Sequence, residues 1–286
     1  MKSVIITGAN RGIGLEIALA FARAGYKVFA TMRNPDSATA LKQKIKEGSL
    51  SISVEAMDVN SNESVKRCME NILRENGPID VLVNNAGIER HGSVEELTIA
   101  DFKDVMETNF FGVLRCTKAL LPSMRQNRNG CIINIASVSG KIATTPLSAY
   151  CASKYALEAM SEALAQEVKS FNVRVAIVEP GIISTDMAND ISISDDHIYP
   201  QTKRFAGLFA ASLQTPRPPS MVADRVLEIA DTETWQLRHP VGPDALPFLQ
   251  WRASMTDEQY VEWNAATDEE WYNATQNTFG LDARQA

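Results

Sequence analysis

Residues 4–22 read VIITGANRGIGLEIALAFA. A run of apolar, β-branched residues meets three glycines, and the glycines open onto a helical pattern. The run VIIT suits a strand, and GLEIALAFA spaces its apolar side chains as a helix does. Gly8 makes the tight turn out of the strand. Gly12 lets the backbone approach a pyrophosphate, and Gly14 lets the helix pack closely on the strand. The free N–H groups at the helix start favour an anion. A plain strand-to-helix turn seldom needs three glycines so arranged. No Gly-Lys-Ser/Thr follows, which excludes the other common phosphate loop.

Outward from this turn the pattern repeats. The strand candidates are Ser3–Thr7, Lys27–Thr31, Ser51–Ala56, Val81–Asn84, Cys131–Ala136 and Val173–Val178. Helix candidates lie at Gly12–Arg23, Asp36–Glu47, Ser61–Asn76, Asp101–Gln126 and Ser148–Ser170. Such alternation predicts a parallel sheet with helices on both faces. The near-continuous apolar strands fit a sheet covered on both sides. Right-handed crossovers then give an α/β fold, a Rossmann-type doubly wound sheet of about seven strands. After Pro180-Gly181 the alternation stops. Residues 186–220 mix polar and apolar groups and end in TPRPPS, followed by a helix candidate, Met221–Asp231, and a short strand candidate, Trp235–His239. Two capping-box patterns, Thr256-x-x-Gln259 and Thr267-x-x-Glu270, predict short helices in the tail. The reading is one domain, 1–286, with a core at 1–185, a distinct segment at 186–220 and a helical C-terminal extension at 221–286.

The bulk numbers are compatible with this. A chain of 286 residues, 45% hydrophobic and 22% charged, suits a soluble protein with one large core. A net charge of -7 argues against nucleic-acid binding. No apolar run approaches the length that spans a bilayer. Met1-Lys2 runs straight into SVIITG, so no signal peptide is expected. Cys68, Cys116, Cys131 and Cys151 form no C-x-x-C and are read as reduced thiols of a cytoplasmic protein. His91, His197 and His239 lack metal-ligand spacing, so no metal is expected.

Further along, Tyr150 and Lys154 stand four apart in AYCASKYALEAM and share a helical face. Alone, that spacing reads as a tyrosine packed on a lysine stem. Three other features change the balance. Ser137 ends the strand CIINIAS, at the carboxyl edge where such sheets bind ligands. Asn109 lies in the apolar context TNFFGVL, where an amide needs a partner. Pro180-Gly181 breaks the chain after the sixth strand, with Thr185 just beyond.

Taken in order, these motifs resemble the classical short-chain dehydrogenases/reductases, from Val4 to about Thr185. That family's turn reads T-G-x-x-x-G-x-G, as TGANRGIG does here, and binds a nicotinamide dinucleotide. The resemblance implies cofactor contacts from Gly8, Asn10, Arg11, Gly12, Ile13 and Gly14. It implies others from Asn85, Ala86 and Gly87 of the NNAG segment, and from Pro180, Gly181, Ile183 and Thr185. Asp58, with Val59 beside it, is either the family's adenine-binding acid or a helix cap. Asn109, Ser137, Tyr150 and Lys154 match the family's catalytic set, with Tyr150 and Lys154 also touching the cofactor. In a carbonyl reduction the cofactor carries the hydride and the protein supplies a proton. A free tyrosine, with a pKa of about 10, is too weak an acid near neutrality. Lys154 supplies a cation that stabilises the phenolate. Ser137 donates to the substrate oxygen, and Asn109 is expected to hold a relay water. Cys151, with no histidine base nearby, is read as packing.

The strand ending FATMRNP bears on cofactor choice. NAD binders usually carry an acid there for the ribose 2′-OH. Here Met32 and then Arg33 stand instead, and Arg11 precedes Gly12. Forked guanidinium donors suit a 2′-phosphate, so NADP(H) is expected.

Residues 186–220 resemble the family's substrate lid. Met187, Ile191, Ile193, Phe205, Leu208, Phe209 and Leu213 either suit a bulky apolar carbonyl or alcohol substrate or pack the core. FATMRNP, LLPSMR and YCASKYALEAMSEAL resemble 17β-hydroxysteroid dehydrogenase-like members. The alternatives are an NADP-dependent hydroxysteroid or alcohol dehydrogenase working in oxidation, and a non-catalytic NADP(H)-binding protein. Family members commonly pair through the two long helices, implying a homodimer or homotetramer. Arg33→Asp is expected to move preference from NADPH toward NADH, read as the ratio of kcat/KM for the two cofactors. Equal efficiency with both in the unaltered protein would sink the reading.

Overall fold

The computed structural model describes residues 1–189, 191 and 198–284. Ile193 of the expected lid and His197 lie outside the described residues. The first half alternates β1 (Ser3–Thr7), α1 (Gly12–Arg23), β2 (Lys27–Met32), α2 (Thr39–Gly48), β3 (Ile52–Ala56), α3 (Asn62–Asn76) and β4 (Val81–Asn84). Next come α4 (Ile99–Met106), α5 (Gly112–Asn127), β5 (Gly130–Ile135), α6 (Ser148–Val168) and β6 (Val173–Pro180). The remainder holds α7 (Asp186–Asn189), α8 (Gln201–Leu213), α9 (Ser220–Asp231), β7 (Arg238–Val241), α10 (Ala245–Ala253), α11 (Asp257–Ala265) and α12 (Asp268–Phe279).

The seven strands form one parallel sheet in the order β3-β2-β1-β4-β5-β6-β7. Alternation along each strand divides the core between its two faces. Val4 and Ile6 of β1 pack with Ile17 and Phe21 of α1 and Val222 and Val226 of α9. Ile5, between them, faces the other way with Met69 of α3, Leu120 and Met124 of α5 and Leu164 of α6. Covering both faces requires strands that are mostly apolar, and β1, β4 and β5 are so apart from a few buried polar residues such as Asn84 and Asn134.

Two expectations are corrected. The helix expected over 101–126 is interrupted by a π-helical turn at Glu107–Phe111, which carries Asn109. Gly112, just after it, packs so closely on Val59 that a Cβ would lie 2.9 Å from Val59 Cγ2. The C-terminal extension does not begin at 221. Helix α9 joins the core, and β7 pairs with β6 in a register starting Ile177↔Arg238, three residues later than the expected strand. The hydrophobic Trp235 that suggested an earlier start is exposed.

What lies beyond the sheet is α10–α12, and both expected capping boxes form there, at Thr256–Gln259 and Thr267–Glu270. These helices grip α8. Arg204 of α8, whose side chain is 5% exposed, pairs through Nε with Asp268 Oδ1 at 2.7 Å. Its other nitrogens donate to Asn264 O at 3.2 Å and Ala266 O at 2.7 Å. Gly207, one turn on, packs on Ala283, whose O would stand 2.1 Å from an added Cβ. The acidic, tryptophan-rich tail is thus the bed on which α8 lies. Arg204→Ala should loosen this bed, by about 1–3 kcal/mol as charged hydrogen bonds are lost. Limited proteolysis with mass spectrometry should then show cleavage in α8 or α10–α12 before any cleavage in the sheet.

Candidate active site

The sheet's strand order reverses between β1 and β4, and a cleft of about 680 Å³ opens above their carboxyl ends. Every residue assigned from the sequence to cofactor or catalysis lines it except Asn109.

At the β1–α1 turn, Gly8 and Gly12 have φ of +67° and +57°, a region side chains disfavour. A Cβ on Gly8 would meet Ala86 Cα at 2.9 Å, and one on Gly14 would meet Asn85 Nδ2 at 2.4 Å. Bare backbone therefore faces the cleft at the start of α1, a cradle that fits a pyrophosphate. At one end of the cradle Arg33 is exposed and makes no ion pair among the described residues. Arg11, 70% exposed, lies 3.3 Å from Asp186, a surface pair of little strength. Met32 is buried in β2, so the chain turns outward only at Arg33. Asn34 and Ser37 also line this end and were missed; the turn signal N-P-D-S directly after Arg33 could have found them.

Asp58 resolves in part. Its Oδ1 accepts from Asn60 N–H at 3.0 Å, whereas the cap of α3 is Ser61. Asp58 thus shapes a turn, and the residue still lines the cleft wall.

At the other end stand Ser137, Tyr150 and Lys154. Lys154 is 5% exposed, its Nζ donating to Ile135 O at 2.8 Å and lying 5.4 Å from the centre of the Tyr150 ring. Burial pushes the Lys154 ammonium down to about 8, against the opposing charges of Glu89 and Glu158. Burial also pushes the Tyr150 phenol well above its ordinary value, and Glu89 pushes it the same way; the nearby Ser137 hydroxyl pulls it down. Cys151 donates its thiol to Ile142 O at 3.7 Å, and burial pushes that thiol up to about 11, as suits a packing residue.

Asn109 is a brace. At 1% exposure its Nδ2 donates to Ile88 O and to Ser153 Oγ, both at 2.9 Å, and its Oδ1 accepts from Ile88 N–H at 2.9 Å. Both amide hydrogens are committed within the protein, so the side chain has none left for a relay water. It ties the segment after β4 to helix α6. Glu89, at 15% side-chain exposure, lines the cleft beside the Tyr–Lys pair and escaped sequence reading. It follows Ile88 in a loop with no motif to mark it.

A nucleotide-sized cleft at the switch point, with a glycine cradle at one end and at the other a Tyr–Lys–Ser group whose lysine and serine are buried, defines a dinucleotide-dependent oxidoreductase. The short chain dehydrogenase family model matches residues 2–196, and the chain belongs to that family, which binds a nicotinamide cofactor. It is 36% identical over 274 residues to Oxidoreductase BOA17 of Botryotinia fuckeliana, covering 93% of this chain and 99% of that one. A short-chain dehydrogenase structure from Streptomyces avermitilis superposes with a TM-score of 0.78 at 33% identity, covering 92% of this chain and 96% of its own. A metagenomic short-chain oxidoreductase solved in complex with NADP gives 0.69 at 26% identity, covering 84% and 96%.

Asn109→Ala leaves the N–H and C=O of Ile88 without their partners. It should destabilise the protein by about 1–3 kcal/mol, read by urea unfolding, with faster amide exchange at residues 88–92.

Proposed function

We propose that this protein is an NADPH-dependent reductase of ketones or aldehydes, with Tyr150 as the general acid. The observation that carries the reading is the pairing of opposite ends in one cleft. Arg33 offers a guanidinium with no ion pair among the described residues at one end, and Tyr150, Ser137 and Lys154 converge at the other. The complex of the metagenomic relative with NADP supports the same cofactor. FATMRNP, LLPSMR and YCASKYALEAMSEAL support a place near the 17β-hydroxysteroid dehydrogenase-like members.

When bound, the cofactor supplies the hydride. The chain's own residues do the rest. The glycine cradle holds the pyrophosphate, Arg33 and Arg11 recognise the 2′-phosphate, and Thr185 with the Ile183 backbone holds the carboxamide. Ser137 donates to the substrate oxygen as its negative charge grows. Tyr150 then gives its phenolic proton to that oxygen, and Lys154 stabilises the phenolate left behind. Burial and Glu89 both keep the phenol protonated until that moment.

Tyr150→Phe should lower turnover about a hundredfold to ten-thousandfold while NADPH still binds, read by nicotinamide absorbance and fluorescence. Near-normal turnover would refute the assignment. Lys154 is charged below its value of about 8 and neutral above it. The reduction rate should therefore fall as pH rises through that value, and a rate that climbs from pH 7 to pH 9 would contradict Lys154 as the supporting cation.

A further inference from the structure

The segment between β4 and α4 is pinned at two points, Ile88 and Gly92. Ile88 is held by Asn109 through its N–H and its C=O. Gly92 donates to Pro146 O at 3.0 Å and bridges Leu147, just before Tyr150. Glu89 lies between these clamps and is presented rigidly at the cleft wall.

Its carboxylate is poorly matched by protein. Oε1 meets His91 Nε2 at 3.0 Å. Oε2 has no hydrogen-bond partner among the described residues, and no lysine or arginine there reaches Glu89 at ion-pair distance. Arg90 is turned toward Asp101 at 3.8 Å, and Lys154 donates to Ile135 O. Other parts of the cleft lining are of the opposite character. Leu147, Met187 and Phe209 line the same cleft, and Phe205 packs with Leu147 and Phe209. An apolar substrate closing this space would strip water from the free oxygen and return no donor, a loss that buried polar groups do not tolerate well. A substrate that brings its own positive donor avoids that loss.

We propose that Glu89 is a specificity-determining residue, and that the substrate is an amphiphilic amino ketone, with an apolar body against Leu147 and Phe209 and a protonated nitrogen on Glu89. The proposal rests on the carbonyl-reductase reading. It adds a charged end to the bulky, mostly apolar substrate expected from the lid sequence. A protonated nitrogen near Glu89 also offsets the negative charge that opposes phenolate formation at Tyr150.

The test uses the full chain with NADPH and pairs of long-chain ketones. One member of each pair is neutral, and the other carries a protonated amine at increasing distance from the carbonyl. Both kcat/KM and calorimetric affinity for the NADP-loaded Tyr150→Phe variant are measured. The amine-bearing member should be preferred at one or more spacings. Glu89→Gln should cut that preference about tenfold or more, and His91→Gln, which keeps the carboxylate, should retain it. Preference for the neutral member at every spacing, or a preference that Glu89→Gln leaves in place, overturns the proposal while the carbonyl-reductase reading stands. If no ketone is reduced, that reading fails. Affinity then still decides the nitrogen site, since Glu89-dependent binding of the amines supports it and its absence overturns it.

Discussion

Strands β1 and β4 lie side by side, but the chain leaves them in opposite directions, and something must hold their ends together where the ladder stops. Thr7 and Asn85 do so. Thr7 Oγ1 accepts from the N–H groups of Asn85 at 3.0 Å and Ala86 at 2.9 Å. Asn85 Nδ2 returns donors to Thr7 O at 2.9 Å and Gly8 O at 3.2 Å. This stitch fixes the Gly8–Gly14 turn against the segment after β4. The close contacts of Gly8 on Ala86 and Gly14 on Asn85 are its steric counterpart, and both leave no room for a Cβ. The cradle, the cleft floor and the path toward Glu89 all start from this point.

From the stitch the chain runs through Ala86 and Gly87 to Ile88, where Asn109 takes over. The π-helical turn gives Asn109 the orientation to reach Ile88 and Ser153 together. Such turns recur at functional sites because they aim one side chain away from the regular helical face. Here the result is a line of hydrogen bonds from β1 through the β4 loop to α6, the helix that carries Tyr150 and Lys154. Tyr150, Lys154 and the glycine cradle therefore share one rigid frame, as the proposed delivery of proton and hydride to a single carbonyl would demand.

The electrostatics of the frame follow from burial. A low-dielectric site disfavours any charged form, so Lys154 gives up its proton more readily and Tyr150 less readily than in water. Glu89 and Glu158 act against burial on Lys154, and Glu158 is itself tied to Arg238 at 2.9 Å. Strand β7 thus contributes to the site from outside the cleft.

The sequence alone determined the sheet and the cleft it supports. The signals for these are local: alternation of strand and helix, glycines where a Cβ does not fit, and a Tyr-x-x-x-Lys spacing that one helical face imposes. The residues assigned to cofactor and proton chemistry sit on the same local motifs, so those that line the cleft could be named in order along the chain. Only the tertiary structure decided what depends on contacts between distant segments. Asn109 became a brace because its partners, Ile88 and Ser153, lie 21 and 44 residues away. Residues 220–241 joined the core because their apolar faces meet α1 and β6. The tail became the bed of α8 because Arg204 found its partners some sixty residues on. Glu89 had no motif to announce it. Its place beside Tyr150 comes from two clamps on a loop, and no periodicity along the chain encodes those.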